Sequence, residues 1–232
     1  MSKYSIIITA SFIKSHPSIE FIRCVIDSLK HIHMDKDTLI ILAHDYSEDS
    51  RFTEYLKNLN NYISDYKNIK IVSRNSHGHL TGNIRNAFNE ITTEYVFLIQ
   101  HDLPFIRDFE IEKVIEDMKN NPELKHIRFN KRANIKTGSD AFNDLFGKQI
   151  VSKNYTYTRT PSWSDNNHLC RSDYYRDIIL KECKDGMPME HYLIRKSQTE
   201  DIHNKYGTYI LDEINKPAYI KHIDARKNLI VR

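Results

Sequence analysis

Four short apolar runs, each rich in β-branched or aromatic residues, constrain this chain more than any other feature. They are Ser5–Ala10, Thr38–Ala43, Ile69–Val72 and Tyr95–Ile99. A run that is apolar at successive positions, not at alternate ones, is the pattern of a strand buried on both faces of a parallel sheet. Between the first two runs, Ile19, Ile22, Val25, Ile26 and Leu29 recur at helical spacing, and between the next two Phe52, Tyr55, Leu56, Leu59 and Ile63 do the same. A loop containing Gly78 and Gly82 opens a third helix through Ile84, Ala87, Phe88 and Ile91. Strand–helix alternation of this kind predicts an α/β fold with a mostly parallel central sheet flanked by helices. Ligands of such sheets bind beyond the carboxyl ends of the strands. The polar residues just after the runs are therefore the first candidates for function: Ser11, His44–Asp45, Arg74–Asn75 and Gln100–His101–Asp102.

Beyond residue 105 the texture changes. A helix is expected from Asp108 to Asn120, ended by Asn121–Pro122, and a strand over Lys125–Asn130. Residues 133–167 are polar, rich in Tyr and Thr, and weakly periodic; Asn154–Thr160 reads as an exposed strand or as an acceptor loop. Helices are predicted over Tyr174–Cys183 and Met189–Tyr206, and strands over Thr208–Leu211 and Ala218–Ile223. With no repeat and no low-complexity linker, the expected organisation is one domain, residues 1–105 forming a nucleotide-type half and 106–232 an acceptor-side half.

Charge and cysteine content narrow the function classes. The net charge is +3, with the signs interspersed, and no Lys/Arg cluster forms the basic face that a nucleic-acid binder needs. Cys24, Cys170 and Cys183 are scattered and include no CxxC pair, which predicts free thiols in a reducing compartment in place of a zinc or disulfide scaffold. Nowhere do about 18 apolar residues run together, so no membrane span is expected. The residues from Met1 to Ile13 lack the basic and long apolar regions of a signal peptide. A soluble, cytoplasmic protein is the expectation.

Three phosphate-binding and catalytic signatures are missing. There is no GxGxxG after the first strand, no GxxxxGK[ST] and no GxSxG, which argues against a dinucleotide-binding protein, a P-loop NTPase and an α/β-hydrolase. In their place, several segments occur in a recognisable order. The strand Ser5–Ser11 is followed by a helix ending in Ser28-Leu29. A second strand then runs into the acidic turn of Ile40–Asp49, a helix carries Asn83-Ile84-Arg85-Asn86, and a fourth strand ends in Gln100-His101-Asp102. Over about the first 105 residues this resembles the family-2-like glycosyltransferases of GT-A fold, which are nucleotide-sugar-dependent.

The resemblance implies roles. Thr9, Ala10, Ser11 and Asp45 would surround the nucleoside, a carboxylate being suited to accept from base or ribose donors. Arg85 would offer a planar set of donors to the base or the diphosphate, although a solvated helix face also explains it. The strand ending in Gln100-His101-Asp102 stands where the family carries its DxD motif, whose last acid ligates Mg²⁺ or Mn²⁺ on the donor's phosphates. Asp102 keeps that acid. Gln100 replaces the first, which implies a metal bound weakly or dispensed with. His222, in Tyr219–Asp224, is a further metal-ligand candidate. Glu190, in Pro188–Arg195, matches the position of the family's catalytic base, with His191 where a second acid is usual; favouring a helix N-terminus is its other explanation. Asp185 and Glu200 are the nearest alternative carboxylates. Trp163 suits stacking on an acceptor sugar as well as it suits filling a core. His77 and His79 look chelating, but two histidines on one loop read more simply as solvated.

The expected activity is therefore inverting, Mn²⁺- or Mg²⁺-assisted transfer of a hexose or related sugar from a nucleoside-diphosphate sugar to a hydroxyl of a carbohydrate or glycoconjugate, with UDP the favoured nucleotide. A non-catalytic nucleotide-sugar- or glycan-binding protein of the same fold is the alternative that Gln100 favours. A nucleotidyltransferase would need the Gly-rich first loop that is missing after Ala10.

Overall fold

β1 (Tyr4–Ala10) is buried along its whole length because strands flank it on both edges and helices cover both faces. The computed structural model describes residues 2–135, 146–194 and 199–223. β1 pairs in parallel with β2 (Ile40–His44) on one side and β4 (Tyr95–Gln100) on the other, and β3 (Ile69–Ser73) continues the parallel row beyond β2. Side chains alternate across this sheet. Ile6, Ile8, Ile40, Leu42, Phe97 and Ile99 enter one apolar layer, and Ile7, Ile41, Ala43, Val96 and Leu98 enter the other. Each fully buried Ile or Phe contributes about 1.5–3 kcal/mol, so both faces must be covered for the runs to be stable.

The first layer is closed by α1 (Glu20–Ser28), α2 (Ser50–Ile63) and α4 (Ile111–Asn120), through Ile22 and Val25, Phe52 and Leu59, and Val114 and Met118. The Asp49 side chain caps α2 by accepting from the Arg51 N–H at 2.9 Å. The second layer is closed by α3 (His79–Ala87) and by a rear helical stretch made of α5 (Ser172–Tyr174), a π-turn over Tyr175–Ile179 and α6 (Leu180–Glu182).

The rear half adds its strands to the same sheet. β8 (His168–Arg171) lies antiparallel to β4 and to β5 (His126–Arg128). Next comes β9 (Thr208–Leu211), parallel to β5, and then the antiparallel pair β7 (Thr156–Arg159) and β6 (Gln149–Val151). The nine-stranded order is β3-β2-β1-β4-β8-β5-β9-β7-β6. Among the described residues, no helix is long and apolar enough to cross a membrane.

The structure departs from the sequence expectations in the rear half. β8 was not expected, since four residues are too few to show a period. β7 is mostly buried, not exposed, because β9 and α4 cover it: Tyr157 Oη donates to Asp117 of α4 at 2.9 Å. The single helix expected over Met189–Tyr206 is two, α7 (Met189–Leu193) and α8 (Glu200–Tyr206). Ala218–Ile223 forms only an isolated bridge, Ile220 to Phe105. Two residues quoted from the expected motifs, Arg195 and Asp224, lie outside the described residues.

Candidate active site

The carboxyl ends of β1, β2 and β4 open onto a cavity of about 560 Å³, walled by Thr9, Ala10, Ser11, Asp45, Gln100 and His101 and by the start of α3. The backbone there is held shut by hydrogen bonds between strand ends. Asp45 N–H donates to Ala10 O at 3.0 Å, and His101 N–H donates to Thr9 O at 3.0 Å. Asn83 of α3 bridges the two strands, its Nδ2 donating to Ala10 O at 3.2 Å and to Ala43 O at 2.8 Å.

Asp45 is 3% exposed. Its Oδ1 accepts from the N–H of Tyr46 at 3.0 Å and of Gly78 at 2.9 Å, which draws the loop before α3 over the strand end. His77 Nδ1 stands 2.9 Å from Oδ2, and the Arg74 guanidinium lies 3.9 Å from Oδ1. Arg74 in turn donates to Ser76 O and Gly82 O, at 3.1 and 2.7 Å. A Cβ on Gly78 would stand 2.4 Å from Arg74 Nε, so only glycine admits this contact.

His101 Nδ1 is 3.1 Å from Thr9 O, which can only accept, so the proton sits on Nδ1 and Nε2 carries a lone pair. Burial pushes the His101 pKa down and keeps the ring neutral. Asn83 Oδ1 and His101 Nε2 are buried at this cavity with no hydrogen bond from the protein, while Asp45 Oδ2 is paired with His77 Nδ1.

Asp102 follows at the β4 end. His222 Nε2 is 3.1 Å from its Oδ2, while its Oδ1 is buried without a partner. The last described segment brings His222 here by running beside the loop after β4: Ile223 N–H donates to Asp102 O and Lys221 N–H to Pro104 O, both at 3.0 Å. Among the described residues no group of three His, Cys, Asp or Glu side chains converges for a metal. Asp102 and His222 fit a cation only as two ligands of a set completed by substrate phosphates and water, which is the usual arrangement for Mg²⁺.

Gln100 faces elsewhere. Its Nε2 donates to Asp165 O at 2.8 Å and to Asp165 Oδ1 at 3.1 Å. Glu190, in the first turn of α7, accepts on Oε1 from Ser164 Oγ at 2.7 Å and from Asp165 N–H at 3.1 Å. Asp165 thus lies between β4 and α7, and it reaches the cavity wall. Burial, and after it the Glu190 charge, pushes the Asp165 carboxyl up to about 8.

The family model for glycosyl transferase family 2 matches residues 7–178. The chain belongs to that family. Solved structures agree in fold. S. aureus TarS residues 1–349 is 14% identical with a TM-score of 0.55, the match covering 95% of this chain and 60% of that one. The same TarS piece in complex with UDP-GlcNAc matches at 12% identity and a TM-score of 0.56, covering 95% and 58%. The mannosyltransferase PcManGT from Pyrobaculum calidifontis, in complex with GDP-Man and Mn²⁺, matches at 10% identity and a TM-score of 0.55, covering 90% and 56%. This chain therefore spans less than two thirds of each of these structures. No curated protein matches the sequence.

Within this family-2 chain, the expected site residues fall into two groups. Thr9, Ala10, Ser11, Asp45, Gln100 and His101 share one cavity, and Asp102 with His222 sits at the same strand end. Arg85 is not at the cavity. It donates to Asp185 Oδ1 at 3.0 Å and to Leu180 O and Cys183 O at 2.9 and 2.8 Å, tying α3 to the rear helix. Asp185 is thereby paired with Arg85, and Glu200 is paired with Arg159 at 3.0 Å. Trp163 is 0% exposed, its ring 5.2 Å from His126, so it fills core and has no face for an acceptor. His191 is exposed on α7.

His77, His79, Asn83 and Asp165 line the cavity and were not among the expected site residues. His77 stays exposed, as a solvated loop histidine would be, but its Nδ1 also meets Asp45, and His79 is partly buried, because Asp45 accepts the Gly78 N–H and draws their loop to the cavity. Asn83 carried a signal, lying in the motif that resembled the family. Asp165 carried none, being one acid in a polar stretch.

Proposed function

We propose that this chain transfers a sugar, with inversion, from a nucleoside diphosphate to a hydroxyl of a carbohydrate acceptor. The observation that carries the reading is the gathering of Asp45, Asn83 and His101 around one cavity at the strand ends, with Asn83 Oδ1 and His101 Nε2 buried there and unpartnered. Leaving such atoms unpaired costs about 1–3 kcal/mol each, a cost that a ligand rich in N–H and O–H groups removes. A nucleoside has these groups, and a cavity of about 560 Å³ is of the size that takes one.

Asp45 then accepts from the base or ribose hydroxyls, with Ser11 and His77 at its sides. Asp102 and His222 would hold a divalent cation, which when bound neutralises charge on the diphosphate. Glu190, held by Ser164 and the Asp165 N–H, is the carboxylate that takes the acceptor's proton. UDP is the favoured nucleotide. A donor-binding protein without turnover is the second reading, favoured by Gln100, whose amide is engaged with Asp165.

Calorimetric titration of UDP, GDP, dTDP and CDP, each with and without Mn²⁺, tests the reading. One nucleotide should bind, at least ~10-fold more weakly in Asp45→Asn, a loss of about one strong hydrogen bond. Its Mn²⁺ dependence should vanish in Asp102→Ala. Absence of binding by all four sinks the proposal, and binding without sugar release over a broad acceptor panel selects the second reading.

A further inference from the structure

Asp165 has a place in this site that neither its neighbours in sequence nor the family's pattern explains. It is held from two directions. Gln100, standing where the family has an acid, points its Nε2 at the Asp165 carbonyl and at Oδ1, at 2.8 and 3.1 Å. The amide NH2 donates both bonds; an aspartate at position 100 would instead confront Asp165 with a second negative charge. From the other side, Glu190 Oε1 accepts from the Asp165 N–H at 3.1 Å, and its charge acts on the Asp165 carboxyl. Of the two acids, Asp165 is the one on the cavity wall.

We propose that Asp165 and Glu190 act together as one proton acceptor, with Asp165 the member that meets the acceptor hydroxyl and Gln100 the residue that positions it. This rests on the sugar-transfer reading above. Two carboxyls this close cannot both ionise freely, so the pair carries one proton and one negative charge. Ser164 Oγ and the Asp165 N–H both donate to Glu190, which places the charge there in the resting pair. As the acceptor oxygen bonds to the anomeric carbon, its proton passes to Asp165 while the Asp165 proton moves to Glu190, so the pair becomes neutral. The bond from the anomeric carbon to the phosphate oxygen breaks, and its electron pair leaves with the nucleoside diphosphate. The groups facing the pair are Gln100 from β4, Ser164 beside it, the Tyr175 hydroxyl from the rear helix, and neutral His101 across the cavity. No described cation contacts Asp165, and the Gln100 hydrogen bond, which favours the charged form, is outweighed by burial and the Glu190 charge.

Carbon-13 NMR of the Asp165 carboxyl in the whole chain tests the pair without turnover. The expected result is titration near 8 in the wild type, moving down by more than one pH unit in Glu190→Gln, where the charge is gone. Titration near 4, or no movement in Glu190→Gln, overturns the inference. The matching kinetic test uses release of nucleoside diphosphate from UDP-GlcNAc and GDP-mannose with water as acceptor. Asp165→Asn should lose about 100-fold or more in kcat, the usual weight of a general base, while nucleotide affinity stays within threefold. Gln100→Glu should move the acidic limb of kcat to higher pH, which a merely structural Gln100 would not do. If Asp165→Asn keeps its kcat, this inference alone fails; if the wild type binds no nucleotide, the sugar-transfer reading fails with it.

Discussion

Asn83→Ala tests how the cavity floor is held. Among the described residues, the Asn83 amide is the only side chain donating to both the β1 and β2 carbonyl ends, at Ala10 O and Ala43 O. Ala10 O keeps the Asp45 N–H when Asn83 is removed, so the loss there is the smaller, about 0.5–1 kcal/mol. At Ala43 O the bond is shorter and buried, and its removal costs about 1–1.5 kcal/mol. The sum is about 2 kcal/mol. With a urea slope of about 3 kcal/mol/M for a chain of this size, the midpoint should fall by ~0.7 M, and Tm should fall by about 4–8 °C. Asn83→Asp should cost more, because an anion would then face two carbonyl lone pairs. Urea unfolding followed by circular dichroism measures both. A midpoint unchanged to within 0.2 M, taken from ~10% error in such fits, together with an equally stable Asn83→Asp, would refute the claim that this amide braces the strand ends.

Two further outcomes follow from the geometry. His44 and His168 are fully buried, and burial depresses each pKa to about 4. The folded values lie below the unfolded one, so each histidine's contribution is whole above about pH 6.5 and is lost as pH falls toward 4; at about 1.4 kcal/mol per unit, the two together remove about 6 kcal/mol. Thermal scans should show Tm falling steeply through that window, and a flat profile would contradict the burial of neutral rings. Gly78→Ala should displace the Arg74 guanidinium from Ser76 O and Gly82 O and loosen the loop over Asp45. The expected signature is nucleotide affinity reduced by ~5-fold or more with Tm lowered only a few degrees, since one hydrogen bond is worth about 1 kcal/mol; unchanged affinity by calorimetry would separate the loop from the site.

The front half was legible because its information is local. An apolar run such as Ser5–Ala10 states its own burial on both faces, and the helical spacing of Ile22, Val25 and Ile26 states which side α1 covers. The topology rule for parallel sheets then brings Thr9, Asp45 and Gln100 to one edge without any contact being known. Position along the chain thus determined which strand ends to inspect, and the same order of segments made the family recognisable.

The rest depended on pairings between residues far apart in sequence, which no local pattern records. His222 meets Asp102 only because the chain near Ile223 runs beside the β4 end. Arg85 was read as a donor to substrate, yet the rear helix offers it two carbonyls and Asp185, and those acceptors hold it away from the cavity. Trp163 and Asp165 are two residues apart, but one is sealed against His126 and the other is held at the cavity by Gln100. Sequence alone determined the α/β class, the parallel front strands and the residues at their ends. Tertiary structure decided which acids and bases face one another, because a side chain's partner and its proton affinity are set by whatever the packing brings against it.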